Sequence, residues 1–187
     1  MATKTSDLCD ASEEIMACEL PLRSYGSRTS FSGTIRTVQC FEDVDLIRQT
    51  LNQAGHDQVL VIDGGGSTRR ALFGDVMAAI AVQNGWSGLV IHGAIRDAVE
   101  IDGMAIGVKA LGTAPRRGER TGAGQRDVPV AFGAVTFVPG SRLVADPDGV
   151  VVLPPHLNEG DIPVADTVAQ TAAYVDGGRG AVTALNG

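Results

Sequence analysis

Apolar side chains recur at helical spacing in two internal segments. Val44, Ile47 and Leu51 punctuate Asp43–Ala54 ahead of Gly55 and predict a helix. Asp75–Asn84 carries Val76, Met77, Ala79, Ile80 and Val82, apolar nearly all round, and closes at Gly85, which predicts a buried helix. Strand patterns flank them. Phe31–Cys40 alternates, with Ile35, Val38 and Cys40 set among Thr34, Arg36 and Gln39. Gln58–Ile62 and Gly88–His92 are continuous apolar runs of the kind buried in a parallel sheet. From Val59 to His92 the order is therefore strand, glycine-rich turn, helix, strand: a βαβ unit with two parallel strands.

After Ile106–Leu111 the chain turns β-rich. Val128–Val130, Ala134–Val138, Leu143–Ala145 and Val150–Leu153 read as short strands parted by Gly133, Pro139-Gly140 and Asp146-Pro147-Asp148-Gly149. Gly112–Asp127 has no apolar period and reads as a loop, the most basic part of the chain. At the N-terminus Ser6–Cys18 predicts a short amphipathic helix at an edge, with Thr5 or Ser6 as N-cap. Residues 1–154 are expected to form one domain. Residues 155–187 are expected to be an appendage, helical over Ile162–Val175, that contacts other copies.

Composition narrows the class. In 187 residues, 44% are hydrophobic and 20% charged, enough apolar surface for a core. Fifteen basic against 22 acidic residues leave a formal charge of −7 and a pI near 4.8, which argues against a general binder of nucleic-acid backbones. Cys9, Cys18 and Cys40 are odd in number and form no C-x-x-C pair, so neither a disulfide framework nor a cysteine zinc site is indicated. Residues 1–14 hold no apolar core of signal-peptide length, and no window approaches 18 consecutive apolar residues. A soluble cytoplasmic protein without a membrane partner is expected.

Two segments carry candidate chemistry. Gly74-Asp75 opens the second helix, where unpaired N–H groups and the positive dipole end attract an anion. Arg96-Asp97 lies just past the end of the next strand. A right-handed βαβ unit brings both to one rim of the sheet, where ligands commonly sit. Arg96 offers a planar fork for a carboxylate or a developing enolate, and Asp97 a hard oxygen ligand for Mg²⁺ or Mn²⁺. The plain alternative makes Asp75 a helix cap and Arg96-Asp97 an exposed turn pair. Asp63-Gly64-Gly65-Gly66-Ser67 lacks the third glycine of a dinucleotide fingerprint and the Gly-Lys-Ser/Thr of a P-loop. It half matches a methyltransferase turn, and its simplest reading is a tight turn that needs positive φ.

Cys40-Phe41-Glu42-Asp43, the run Val59 to Ser67, the stretch Gln83 to Asp97 and Gly133 to Gly140 together resemble the family of the regulator of ribonuclease activity A and the 4-hydroxy-4-methyl-2-oxoglutarate aldolases, over roughly residues 5–154. Aldolases of that family carry an Asp, twenty intervening residues, then Arg-Asp, which Asp75 and Arg96-Asp97 satisfy. The resemblance implies a swivelling β/β/α, phosphohistidine-domain-like α/β fold assembled as a homotrimer or a dimer of trimers. It implies that backbone groups of Gly74, Asp75, Val76 and Met77, with the Arg96 guanidinium, hold a 2-oxo acid. Asp97 would ligate Mg²⁺ or Mn²⁺, and Asp75 would orient a water. Related aldolases with long C-termini draw a glutamate from a neighbouring subunit, a role that the comparison assigns to no tail residue, Glu159 included. The implied activity is metal-dependent cleavage of a 4-hydroxy-2-oxo acid to pyruvate, with oxaloacetate decarboxylation beside it. The alternative is a protein that binds and inhibits a ribonuclease, against which the intact acids weigh.

Other residues read more simply. Glu100 is either a solvated charge or an acid supporting Asp97. His92 is either packed or turned to the site, and His56 and His156 have no metal-ligand spacing. Lys4 and Lys109 lie away from the site, so a Schiff-base aldolase is disfavoured.

Overall fold

The computed structural model describes residues 4–157 and 160. Strands β1 (Met16–Ala17), β2 (Arg23–Tyr25), β3 (Phe31–Gln39), β4 (Gln58–Asp63), β5 (Ala71–Phe73), β6 (Gly88–Ile95), β7 (Gly107–Thr113), β8 (Gln125–Arg126), β11 (Arg142–Ala145) and β12 (Val150–Leu153) form one sheet. Its order is β1-β12-β11-β3-β4-β6-β7-β2, with β5 beside β6 and β8 beside β3. Strands β3, β4, β6 and β7 run parallel and the flanking pairs antiparallel. Strands β9 (Val130–Phe132) and β10 (Val135–Phe137) make a separate hairpin. Helices α1 (Thr5–Ala11), α2 (Asp45–Leu51), α3 (Asp75–Gln83) and α4 (Ala98–Asp102) complete the described chain. This is the α/β fold with a β-rich second half that the apolar pattern implies.

The continuous apolar runs are explained by burial on both faces of the sheet. Leu60 and Ile62 of β4, with Leu89 and Ile91 of β6, pack with Ile47 and Leu51 of α2 and Ala78 and Ala81 of α3. Their neighbours Val59, Val61 and Val90 join Phe132 and Phe137 of the hairpin on the other face. A third cluster sets Leu8 and Ile15 against Val144, Val151 and Leu153.

Several expectations need correction. The N-terminal helix stops at Ala11 because Met16 and Ala17 are drawn into the sheet opposite Val152 and Val151. Its N-cap is Lys4, while Thr5 donates its N–H and hydroxyl to the buried Asp146 carboxylate, both at 2.7 Å. Strand β5 was missed because three residues after a glycine turn carry too little pattern to register. Helix α3 is not buried all round: Ala78 and Ala81 face the core, whereas Val76 is 66% exposed. Strand β6 runs on to Ile95, three residues past its expected end, so that Arg96 follows it directly. The helix expected over Ile162–Val175 and most of the expected appendage lie outside the described residues. Among the described residues no helix is long and apolar enough to cross a membrane.

Candidate active site

Strands β5 and β6 end side by side, and the N–H of Arg96 donates to the carbonyl of Phe73 at 2.9 Å. That bond sets the residue after one strand against the segment that opens α3. Gly74, the N-cap of α3, is extended. A Cβ there would stand 2.7 Å from Asp97 Oδ2 and 3.1 Å from Arg96 Cγ, so the close approach requires glycine. The Asp75 N–H points to Asp97 Oδ2 at 3.4 Å, and Arg96 Nε meets the same oxygen at 3.1 Å. The Val76 N–H donates to Asp75 Oδ1 at 2.7 Å, which leaves Met77 as the remaining donor of the first helical turn.

Asp97 occupies the left-handed region, φ 55° and ψ 40°, at the start of α4. Asp tolerates this better than most residues, but single non-glycine positions there still carry strain and cluster at functional sites. The turn aims its carboxylate at Gly74 and α3. Its side chain keeps 32% of its surface and that of Arg96 36%, so both are open to solvent.

Gly74, Asp75, Val76, Met77 and Arg96 line a cavity of about 140 Å³. At about 30 Å³ per water, that is room for a few waters or a small organic acid. Asp97 lies on the adjoining, more open depression, and Arg96 borders both. Glu100 lines the same depression as a solvent-exposed charge. Residues 75 and 97, distant in sequence, thus share one rim.

Among the described residues no three His, Cys, Asp or Glu side chains gather as a metal cluster. A cation here would depend on Asp97, whose Oδ2 is committed to Asp75 and Arg96 while Oδ1 forms no hydrogen bond among the described residues. One accessible carboxylate oxygen with solvent around it fits a hard ion such as Mg²⁺ or Mn²⁺, which keeps waters and accepts an oxygen chelator.

His92 faces the other way. Even-numbered positions of β6 point to the hairpin, so its ring stacks on Phe132 at 4.7 Å and its Nδ1 lies 3.0 Å from Asp63 Oδ1. The turn after β4 leads into β5 and not into a helix, and Gly65 and Gly66 have φ of 65° and 72°. It is the tight turn of the simpler reading. Lys109 is buried in β7 and donates to Ser24 Oγ at 2.9 Å and to the Asp146 carbonyl.

Sequence reasoning missed Arg48, Arg117 and Arg120, which line the same cavity. The basic run from Pro115 to Gly122 in an acidic chain was the available signal, but nothing local shows where that loop returns.

The sequence pattern of the family described as RraA-like (Aldolase/RraA) matches residues 5–152. A protein of Geobacillus kaustophilus HTA426, described as S-adenosylmethionine: 2-dimethylmenaquinone methyltransferase, is 47% identical with a TM-score of 0.78, over 89% of this chain and 98% of its own. The RNA-processing inhibitor RraA from Thermus thermophilis is 42% identical with a TM-score of 0.81, over 84% of this chain and 96% of its own. Streptomyces coelicolor RraAS2, described as an unusual member of the RNase ES inhibitor RraA family, is 26% identical with a TM-score of 0.71, over 94% and 91%.

Proposed function

Since the chain belongs to the RraA-like family, we propose that it is a divalent-metal-dependent lyase that cleaves 4-hydroxy-2-oxo acids to pyruvate and decarboxylates oxaloacetate. The observation that carries this reading is the meeting of the α3 N-terminus with Arg96 and Asp97 at one rim. We further propose a cytoplasmic homotrimer, or dimer of trimers, acting on a small 2-oxo acid without nucleic acid or membrane.

In this reading the Met77 amide, the first-turn donor of α3 left open by these contacts, and the Arg96 fork bind the pyruvyl carboxylate. Positive charge at the helix start favours that anion. Arg96 also faces the negative charge that grows as the C3–C4 bond breaks, and a donor already in place there costs no reorganisation during reaction. Asp97 would hold Mg²⁺ or Mn²⁺, which supplies Lewis-acid neutralisation of the same charge. Asp75, with Oδ1 fixed by the Val76 N–H, orients a water. In aldol cleavage that water takes the proton of the C4 hydroxyl as the bond electrons pass to the pyruvate enolate, and a proton is then returned to C3. Decarboxylation passes through the same enolate without deprotonating a hydroxyl.

The test supplies purified protein with oxaloacetate and Mg²⁺ or Mn²⁺. EDTA-sensitive pyruvate release that Asp97→Ala abolishes is the expected result, and activity equal in the two proteins overturns it. Two relatives, one described as an RNA-processing inhibitor and one as an unusual member of an RNase inhibitor family, support a second reading, a regulator that binds a ribonuclease through its acidic surface. Inhibition of a purified ribonuclease by the intact protein tests it.

A further inference from the structure

Strand β5 is only three residues long, yet it delivers the chain into Gly74 and the start of α3. On one side it pairs with β6. Its other edge is completed by residues 116–119, which follow β7: the Ala71 N–H donates to the Arg116 carbonyl at 2.7 Å, and the Gly118 N–H to the Ala71 carbonyl at 2.9 Å. The far side of that segment is paired too. The Glu119 N–H donates to the Glu42 carbonyl at 2.6 Å, and the Val44 N–H to the Glu119 carbonyl at 2.9 Å. Both bridges are parallel. A backbone ladder therefore runs from residues 42–44 through residues 116–119 and β5 to β6, and the Phe73 carbonyl that fixes Arg96 belongs to it.

Two consecutive carboxylates grip this ladder on both flanks of β5. Asp43, 3% exposed, accepts the Thr121 N–H and hydroxyl on Oδ2, each at 2.6 Å, and the Asp45 N–H on Oδ1 at 2.9 Å. It ties the end of the outer segment to the start of α2. Glu42 accepts the Ser67 hydroxyl at 2.6 Å and Arg69 Nε at 2.7 Å on Oε1, while Arg70 Nε lies 3.6 Å from Oε2. It ties down the turn that enters β5. Arg70 links the two grips through an ion pair with Glu119 at 2.9 Å and a hydrogen bond to the Arg117 carbonyl at 3.1 Å. Glu42 sits at φ 54°, a left-handed conformation that strains a long side chain and persists where its surroundings over-determine it. Among the described residues neither carboxylate bonds to Gly74, Asp75, Arg96 or Asp97.

We propose that Glu42 and Asp43 are positioning residues: by holding both flanks of β5 they fix the α3 N-terminus against Arg96 and Asp97 and so set the geometry for turnover without touching the ligand. The effect on turnover rests on the lyase reading. A displacement of about 1 Å at a reacting group can cost roughly a hundredfold in rate, and a three-residue strand has few bonds of its own to resist one.

Removal of the buried Asp43 carboxylate can unfold the chain, so the test works through its partner. Thr121→Val deletes one bond to Asp43 at nearly constant shape, and Thr121→Ser returns the hydroxyl. Glu42→Gln weakens the other grip. Amide hydrogen exchange and pyruvate release from oxaloacetate with Mg²⁺ are measured on the full chain. In Thr121→Val and in Glu42→Gln, the amides of residues 71–80 are expected to exchange at least roughly tenfold faster while those of β4 are unchanged. Turnover is expected to fall at least roughly tenfold in both. Thr121→Ser should match the unsubstituted protein in both measurements. Unchanged exchange over residues 71–80 in either variant, acceleration shared equally by β4, or a serine variant that behaves like the valine one overturns the proposal. Local loosening that serine reverses, in a protein that releases no pyruvate, would sink the lyase reading and leave the clamp standing. Pyruvate release that neither variant lowers would do the reverse.

Discussion

The amide of Asp75 and the carboxylate of Asp97 lie 3.4 Å apart across 22 positions of sequence. The contact ties the N-terminal end of α3 to the turn after β6, and Arg96 closes it from the side by meeting the same oxygen. A helix start and a carboxylate attract each other, so the pair steadies the rim and leaves the other carboxylate oxygen for solvent or a cation.

Gly74→Ala tests how tightly that rim is packed. The added methyl would press on Asp97 Oδ2 and Arg96. Because the backbone is extended and not left-handed, the fold should tolerate it. Pyruvate release is expected to fall by roughly tenfold or more through displacement of both side chains, with a melting temperature close to that of the unsubstituted protein by calorimetry.

Asp97→Asn separates charge from shape. Asn accepts the left-handed conformation and presents an oxygen to the Asp75 amide, so stability should change by less than about 1 kcal/mol. Metal-dependent decarboxylation should drop by roughly a hundredfold or more with the loss of the charged ligand. Asp97→Ala should in addition be destabilised by about 1–2 kcal/mol at a positive φ. Steady-state pyruvate assays and thermal melts on both variants check this.

Asp75→Asn should split the two reactions. Aldol cleavage needs a water held by a carboxylate and is expected to fall by roughly a hundredfold or more, whereas oxaloacetate decarboxylation, which removes no hydroxyl proton, should fall much less. Equal losses in kcat for both substrates would remove the assigned role.

Gly118→Ala should loosen the loop of residues 116–121, because the new methyl meets the Glu42 carbonyl. Overpacking of this kind costs about 1–3 kcal/mol. The expected signature is a lower melting temperature by calorimetry.

The tether between α1 and the β11–β12 turn should be sensitive to acid. Burial alone would raise the pKa of Asp146, but the Thr5 amide and hydroxyl and the amides of Asp148 and Gly149 hold it below the ordinary carboxylate range. A depressed folded pKa contributes stability above the unfolded value, about 3.9, and that contribution is lost as pH falls through the folded pKa. Thr5→Val should therefore lower the melting temperature by several degrees near pH 7, from a loss of about 1.5–3 kcal/mol. The gap to the unsubstituted protein should close in strong acid, and melts from pH 7 down to pH 2 follow it.

Much of the architecture was legible because burial leaves a local trace. Val59-Leu60-Val61-Ile62 and Leu89-Val90-Ile91 are apolar at every position because both faces of β4 and β6 are covered. Asp75 at a helix start and Arg96-Asp97 past a strand end could be placed on one rim because the handedness of a βαβ crossover leaves little choice. The parity of β6 even held the answer for His92, which follows Val90 to the hairpin face.

What the linear pattern determined, then, was the alternation of elements and the side of the sheet on which chemistry could gather, since periodicity and chain handedness act over a few residues. Only the tertiary structure decided that Asp97 takes a left-handed turn toward Gly74, that Val76 stays open to solvent, and that residues 116–121 return to set Arg117 and Arg120 over the same cavity. Those outcomes depend on contacts between segments far apart in the chain, such as Gly118 against Ala71 and Thr121 on Asp43. A loop without apolar period carries no local mark of where it will dock.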